Sequence, residues 1–222
     1  MMFGELNASG YAYNSIFYKS EFEDILSKII SCYNIMIADK VPLTNNENSI
    51  RDVLLVNYLK DNSIRKKIKL TDYLFDREVP EDRSIGRTDI KIQTLNTFQD
   101  TSAYYILECK RLNSVNASGT TGLNGEYVKN GVCRFTSKTY SAFYKTNGMI
   151  GFVVDQVNIP QNINCINELI ANQIETNTTS DIQFHNINPD FEYSYSSKHT
   201  IENENIILYH LMFDFSNNMV RN

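Results

Sequence analysis

The stretch 87-RTDIKIQTLNTFQDTSAYYILECKRL-112 decides how this chain is read. Two runs rich in β-branched and aromatic residues, 87–95 and 103–110, are parted by the polar segment 96–102, a pattern that predicts a β-hairpin. Both runs carry charge at the end away from the turn: Asp89 in the first, Glu108 and Lys110 in the second. In a strand, successive side chains point to opposite faces. Tyr104, Ile106, Glu108 and Lys110 therefore share one face, and Tyr105, Leu107, Cys109 and Arg111 share the other. Asp89 and Lys91 lie opposite Ile90 and Ile92. Pairing of the two runs then brings Asp89 and Glu108 together at one lip of a sheet, with Lys110 one pleat beyond.

Two carboxylates a few ångströms apart raise each other's pKa unless a cation neutralises them. A hard, oxygen-liganded ion such as Mg²⁺, with Mn²⁺ as a substitute, does so, and the backbone carbonyl of Cys109 offers a further ligand. Lys110 beside the ion would orient or deprotonate a water, while the ion lowers that water's pKa and stabilises charge on a phosphoryl oxygen. The plainer alternative is a solvated edge on which Lys110 merely pairs with Glu108. The surrounding pattern favours the catalytic reading: a neighbouring strand carries the aspartate, an apolar run precedes Glu108-Cys109-Lys110, and a basic helix comes after it.

Outward from the hairpin, residues 1–20 are rich in Tyr, Asn and Ser and are expected to form an irregular arm. Apolar residues at helical spacing predict a helix over 21–39, and Val41-Pro42 stops it. Thr44-Asn45-Asn46 supplies capping residues for a second helix over 47–59, with Ile50, Val53, Leu54 and Tyr58 as its stripe. A basic connector (Arg65, Lys66, Lys67, Lys69) leads to an extended segment over 70–79. Beyond the hairpin, 113–125 reads as a mobile loop rich in Gly, Ser, Asn and Thr. A helix is predicted over 125–143, and the near-continuous apolar run 148–154 predicts a strand covered on both faces. A helix over 163–174 and a last strand over 206–215 complete the pattern, one mixed α/β domain over 1–222 with an acidic elaboration from 155 onward.

The net charge of −5 conceals an asymmetry: residues 155–222 hold nine acids and two bases, so the preceding part is slightly basic. Between Tyr127 and Val154 there is no acid, while Lys129, Arg134, Lys138 and Lys145 are all present, and local field decides whether a polyanion can be held. Cys32, Cys109, Cys133 and Cys165 show no paired spacing and read as reduced, packed thiols, with no structural zinc. No stretch has the length of a membrane span, and the first residues lack signal-peptide character, so a cytoplasmic protein is expected. His185, His199 and His210 form no metal-binding grouping in sequence.

The order helix, strand with Asp89, strand with Glu108-Cys109-Lys110, helix, strand resembles the core of the PD-(D/E)XK nuclease superfamily, the restriction-endonuclease-like fold, over about residues 47–154. Thr88 stands where that family usually has proline. The resemblance implies an α/β core with a central mixed sheet flanked by helices, and Mg²⁺-dependent hydrolysis of phosphodiester bonds. Asp89, Glu108 and Lys110 would be catalytic; Asp89, Glu108 and the Cys109 carbonyl would hold the metal. Members often carry a further glutamate in the helix before the sheet. Glu47, on the stripe of Ile50 and Leu54, is the choice for that role in catalysis and metal binding, and Glu78 is the rival.

Val128, Val132, Phe135, Thr139 and Ala142 make one face of the helix after the motif, and Tyr127, Arg134, Lys138 and Lys145 fall roughly on another. Arg134 and Lys138 are thereby expected to meet phosphate oxygens. Arg87 shares the face of Asp89 and is a further candidate for a phosphate contact. The expected substrate is nucleic acid, DNA above RNA, cut by an endonuclease of a restriction or phage-defence system that acts as a homodimer or with a targeting partner. The alternatives are a non-catalytic nucleic-acid- or protein-binding subunit of the same fold, and a structural subunit whose acidic C-terminal third docks a partner.

Overall fold

In the computed structural model, residues 14–80, 87–137, 140 and 143–220 are described. Helix α1 (Asn14–Ala38) is followed by α2 (Glu47–Asp52), which continues as a π-helical segment (Val53–Leu59), and by the short α3 (Asn62–Lys67). Strands β1 (Leu74–Pro80) and β2 (Arg87–Gln93), a 3₁₀ turn (Leu95–Phe98) and β3 (Tyr104–Leu112) come next. After them come α4 (Leu123–Tyr127), a second π segment (Val128–Val132), α5 (Cys133–Thr136), β4 (Thr146–Val153) and α6 (Ile159–Asn172). Strands β5 (Thr178–Phe184), β6 (Ser194–Ile201) and β7 (Glu204–Asp214) complete the order.

The strands form one seven-stranded mixed sheet in the order β1-β2-β3-β4-β7-β6-β5. Its centre is parallel, β3 with β4 and β4 with β7, and both wings are antiparallel. Every residue of β4 is buried, as its apolar run demands for a strand covered on both faces. On one face α1 and the first π segment pack against Ile90, Ile92, Tyr105, Leu107, Ile150 and Phe213. On the other, Tyr127, Val128, Val132 and Phe135 and the apolar stripe of α6 pack against Tyr104, Ile106, Met149 and Met212. The result is an α/β fold with helices on both sides of a mixed sheet. No helix of the described residues is long and apolar enough to cross a membrane.

The hairpin forms as the alternation requires, with Ile90 opposite Leu107 and Ile92 opposite Tyr105. Other expectations are corrected. α1 starts at Asn14, within the expected arm, where the Tyr18 ring packs against Tyr144 at 4.3 Å between centroids, tilted by 40°. The basic connector holds a helical turn, α3, capped by Asp61. Residues after Val154 supply α6 and three strands, two of them (β5 and β6) absent from the sequence reading, and β7 lies at the sheet's centre. The segment read as a loop is irregular up to Gly122 and bonded to its surroundings: Asn124 Nδ2 donates to Ala117 O (2.9 Å), Lys129 Nζ to Thr120 O (2.8 Å) and Gln173 Nε2 to Ser118 O (3.2 Å).

Among the described residues, the helix expected over 125–143 runs from Leu123 to Thr136, and its middle is π-helical; Thr139 and Ala142, read as part of its apolar face, lie outside the described residues. A π turn inserts a residue into the helical repeat and rotates the turns beyond it. Tyr127 consequently lies in the core on His210 rather than beside Arg134. Lys145, in the left-handed region at φ 54°, leaves that face as well and pairs with Glu204 at 3.0 Å. The four cysteines are free, Cys32 and Cys109 being buried.

Candidate active site

Regular pairing of β2 with β3 stops at Ile90 and Leu107, just before Asp89 would face Glu108. Where the ladder ends, Asp89 takes over one of its bonds: its Oδ2 accepts the Cys109 backbone N–H at 2.8 Å. The strands therefore part at the lip while the carboxylate stays between them. Glu108 and Lys110 stand on the same face, as the period of two dictates.

Lys110 Nζ is the centre of the arrangement. It donates to Glu108 Oε1 (2.7 Å), to the Cys109 carbonyl (2.8 Å) and to Glu47 Oε1 (3.0 Å), and Asp89 Oδ2 lies 3.8 Å away. An ammonium has three N–H donors, and all three are used. Glu47 reaches this point because Asn46 caps α2, its side chain accepting the Ser49 N–H at 3.0 Å, and directs the helix start at the lip. Its second oxygen accepts the Arg111 N–H at 3.1 Å.

Glu108 is fully buried. Its Oε1 also accepts from Arg134 Nη1 at 2.8 Å, and its Oε2 meets the Tyr140 hydroxyl at 2.6 Å. Burial, then the charge of Asp89, pushes its pKa up to about 7 against the pull of Lys110 and Arg134. The hydrogen-bond count agrees. The Tyr140 hydroxyl has one proton but also faces the Arg87 carbonyl at 2.7 Å. A proton on Glu108 Oε2 lets the carboxyl donate to Tyr140 while Tyr140 donates to Arg87. Burial alone would lower the pKa of Lys110, yet Glu108, Asp89 and Glu47 outweigh it and hold the ammonium above its ordinary value.

Of the residues read from sequence, Asp89, Glu108, Cys109 through its carbonyl, Lys110, Glu47 and Arg134 are brought together. Arg87 contributes its backbone carbonyl, while its side chain is two-thirds exposed at the rim, 4.0 Å from Glu78. Lys138 lies outside the described residues. Glu78 reaches the group through Arg51, and among the described residues the contact with Lys110 belongs to Glu47.

Two residues were missed. Arg51, 2% exposed, donates from Nη1 to Asp89 Oδ1 and from Nη2 to Glu78 Oε1, each at 3.0 Å. Its signal was present: it falls one turn after Glu47, on the buried side of a short amphipathic helix. Tyr140 comes after the end of α5 and has no periodic signal at all.

Among the described residues, no three His, Cys, Asp or Glu side chains are grouped so as to hold a metal as they stand. Lys110 occupies the middle of the oxygen set. That set, three carboxylates and a backbone carbonyl, is nonetheless the hard-oxygen chemistry that suits Mg²⁺ or Mn²⁺. Comparison with protein-family models, with curated proteins and with solved structures gave no match.

Proposed function

We propose that the chain is a Mg²⁺-dependent nuclease of the PD-(D/E)XK type, with a restriction-endonuclease-like core, hydrolysing phosphodiester bonds in DNA. The observation that carries the reading is the convergence of Glu47, Asp89, Glu108 and the Cys109 carbonyl on Lys110 Nζ. A cage of oxygens around one cation at the lip of a mixed sheet is what a hard divalent ion and a phosphodiester need. The non-catalytic alternative accounts for the ion pairs but leaves the aim of four oxygens at one point unexplained.

Glu47, Asp89, Glu108 and the Cys109 carbonyl would hold the ion, which supplies positive charge at a phosphoryl oxygen and lowers the pKa of a bound water. Lys110, whose ammonium donates to Glu108, Glu47 and the Cys109 carbonyl, would turn an N–H to a water and orient it for in-line attack. Arg134, whose side chain is about one-third exposed, bonds Glu108 and presents the rest of its guanidinium outward to a phosphate oxygen. The buried Tyr140 keeps Glu108 turned to the site and shields its far side from water.

Plasmid and single-stranded substrates incubated with Mg²⁺ or Mn²⁺ test this, wild type against Asp89→Ala and Lys110→Ala. Metal-dependent cutting by the wild type alone is expected. Cutting that survives both substitutions rejects the site, and binding without cutting by the wild type favours the non-catalytic reading.

A further inference from the structure

Building on the reading of Asp89 as a site residue, we propose that Arg51 is the positioning residue that aims its carboxylate. The ladder itself cannot do this, because β2–β3 pairing has ended at Ile90 and Leu107. The Cys109 N–H holds Asp89 Oδ2 by a single hydrogen bond, about which the carboxylate can still pivot. Arg51 Nη1 removes that freedom by holding Oδ1 at 3.0 Å.

The guanidinium is itself fixed. Nε and Nη2 both bond Asp52 Oδ1, at 3.0 and 2.9 Å, and Asp52 Oδ2 is held in turn by Arg77 Nη1 at 2.6 Å. A planar fork gripped on one edge can aim a carboxylate on the other, which a flexible ammonium cannot do. Arg51 and Glu47 are four residues apart on α2, so one short helix fixes Glu47 against β3 and, through Arg51, Asp89 on β2 and Glu78 on β1. Glu78 has φ 49°, a left-handed conformation that a glutamate inside a strand seldom adopts without a partner to hold it. A buried arginine that only neutralised charge would need neither the grip on Asp52 nor the reach to two strands.

The test compares full-length wild type with Arg51→Lys, which keeps the charge and loses the fork, and Asp52→Asn, which loosens the grip on the fork. Hydrogen exchange of the Cys109 amide reads the aim of Asp89 directly, because that N–H bonds to Asp89 Oδ2. Urea unfolding controls for stability, and Mg²⁺-dependent cleavage gives kcat and KM. In Arg51→Lys the Cys109 amide is expected to exchange at least about tenfold faster than global unfolding accounts for. Its kcat should fall by about tenfold or more at unchanged KM, and Asp52→Asn should shift both in the same direction. Cys109 protection equal to wild type in both variants overturns the proposal, even where the wild type cleaves. If the wild type does not cleave, the nuclease reading fails, and the exchange measurement still decides the role of Arg51. Should Arg51→Lys not fold, Asp52→Asn decides it alone.

Discussion

Replacing Lys110 with methionine tests the oxygen cage without reference to any substrate. The side chain keeps its apolar stem as far as Cε and loses the ammonium that three oxygens accept from. Glu47 retains the Arg111 N–H and Asp89 retains Arg51 and the Cys109 N–H, so the loss falls mainly on the fully buried Glu108. Removing one partner of a buried ion pair costs about 3–5 kcal/mol. The low end applies here, because Glu108 keeps Arg134 and Tyr140 and, with a pKa already at about 7, can take up a proton. About 3 kcal/mol corresponds to a fall of roughly 6–12 °C in Tm for a chain of this size. Unfolding followed by far-UV circular dichroism or tyrosine fluorescence, the chain having no tryptophan, reads this in EDTA and again in Mg²⁺. An ion present at about a hundred times its Kd adds about 2.7 kcal/mol. The variant, with no ammonium to compete, should gain more from Mg²⁺ than the wild type while cutting nothing. An unchanged midpoint in EDTA would refute the cage, and an equal gain in both proteins would refute competition between ion and ammonium.

Three further outcomes are expected from the same geometry. Tyr140→Phe strands Glu108 Oε2 and the Arg87 carbonyl without a partner, so a loss of about 1–3 kcal/mol in urea unfolding is expected; a neutral result would mean the hydroxyl holds neither. Burial holds the pKa of His199 down to about 4 and, with His199 as neighbour, that of His210 to about 3. Both are neutral in the fold and charged when unfolded below the ordinary value of about 6.5. Their contribution is therefore complete above that pH and is lost as the pH falls towards the folded values, at up to about 2.7 kcal/mol per pH unit for two protons. Urea midpoints from pH 7 to 4 measure it, and a His210→Asn variant should show a shallower slope. Finally, a Cβ at Gly148 would lie 2.5 Å from Leu107 Cδ2 and 3.2 Å from Phe22 Cζ, both packed in the core. Gly148→Ala should cost about 1–3 kcal/mol, and Gly131→Ala less, because the nearest atom there is the flexible terminal methyl of Met149.

The features legible in the sequence were those that depend on local period. Alternation placed Glu108 and Lys110 on one face, and the short polar turn made the hairpin antiparallel, which together put Asp89 beside them. The apolar run of β4 announced a buried centre. Strands β5 and β6, TTSDIQF and SYSSKHTI, have no apolar alternation; β5 is an edge strand, and both are specified by cross-strand pairing, β5 with β6 and β6 with β7, rather than by a period of their own. The histidines were invisible for the same reason. Sequence separates His199 from His210, yet strand pairing joins them in a buried chain in which Tyr127 donates to His210 Nδ1, His210 Nε2 to Ser197, Ser197 to His199 Nε2, and His199 Nδ1 to Thr176 O. That direction is set by the terminal carbonyl, which only accepts, and it leaves each imidazole one proton. The π turns escaped notice as well, and the second moved Tyr127 off the face where a regular helical repeat would place it.

The site owes its composition to the place where regular pairing gives out. Inside a sheet a carboxylate without partners carries a large desolvation cost, and the buried Glu108 is tolerated because Lys110, Arg134 and Tyr140 meet it. At the lip, β2 and β3 part after Ile90 and Leu107, and the freed Cys109 N–H and C=O become partners for Asp89 and Lys110. The same opening admits side chains from two helices, Glu47 and Arg51 from α2 and Arg134 from α5, each beside a π-helical segment. Acids and bases pair there: Lys110 sits among Glu47, Asp89 and Glu108, and Arg51 among Asp52, Glu78 and Asp89. Under the proposed reading, an ion entering this network would have to displace one of its cations. Lys110, a single ammonium on a flexible stem, is the one suited to yield, whereas Arg51 is gripped by Asp52. The division of labour between the two bases, one yielding and one fixed, comes from their chemistry and from the groups that hold them.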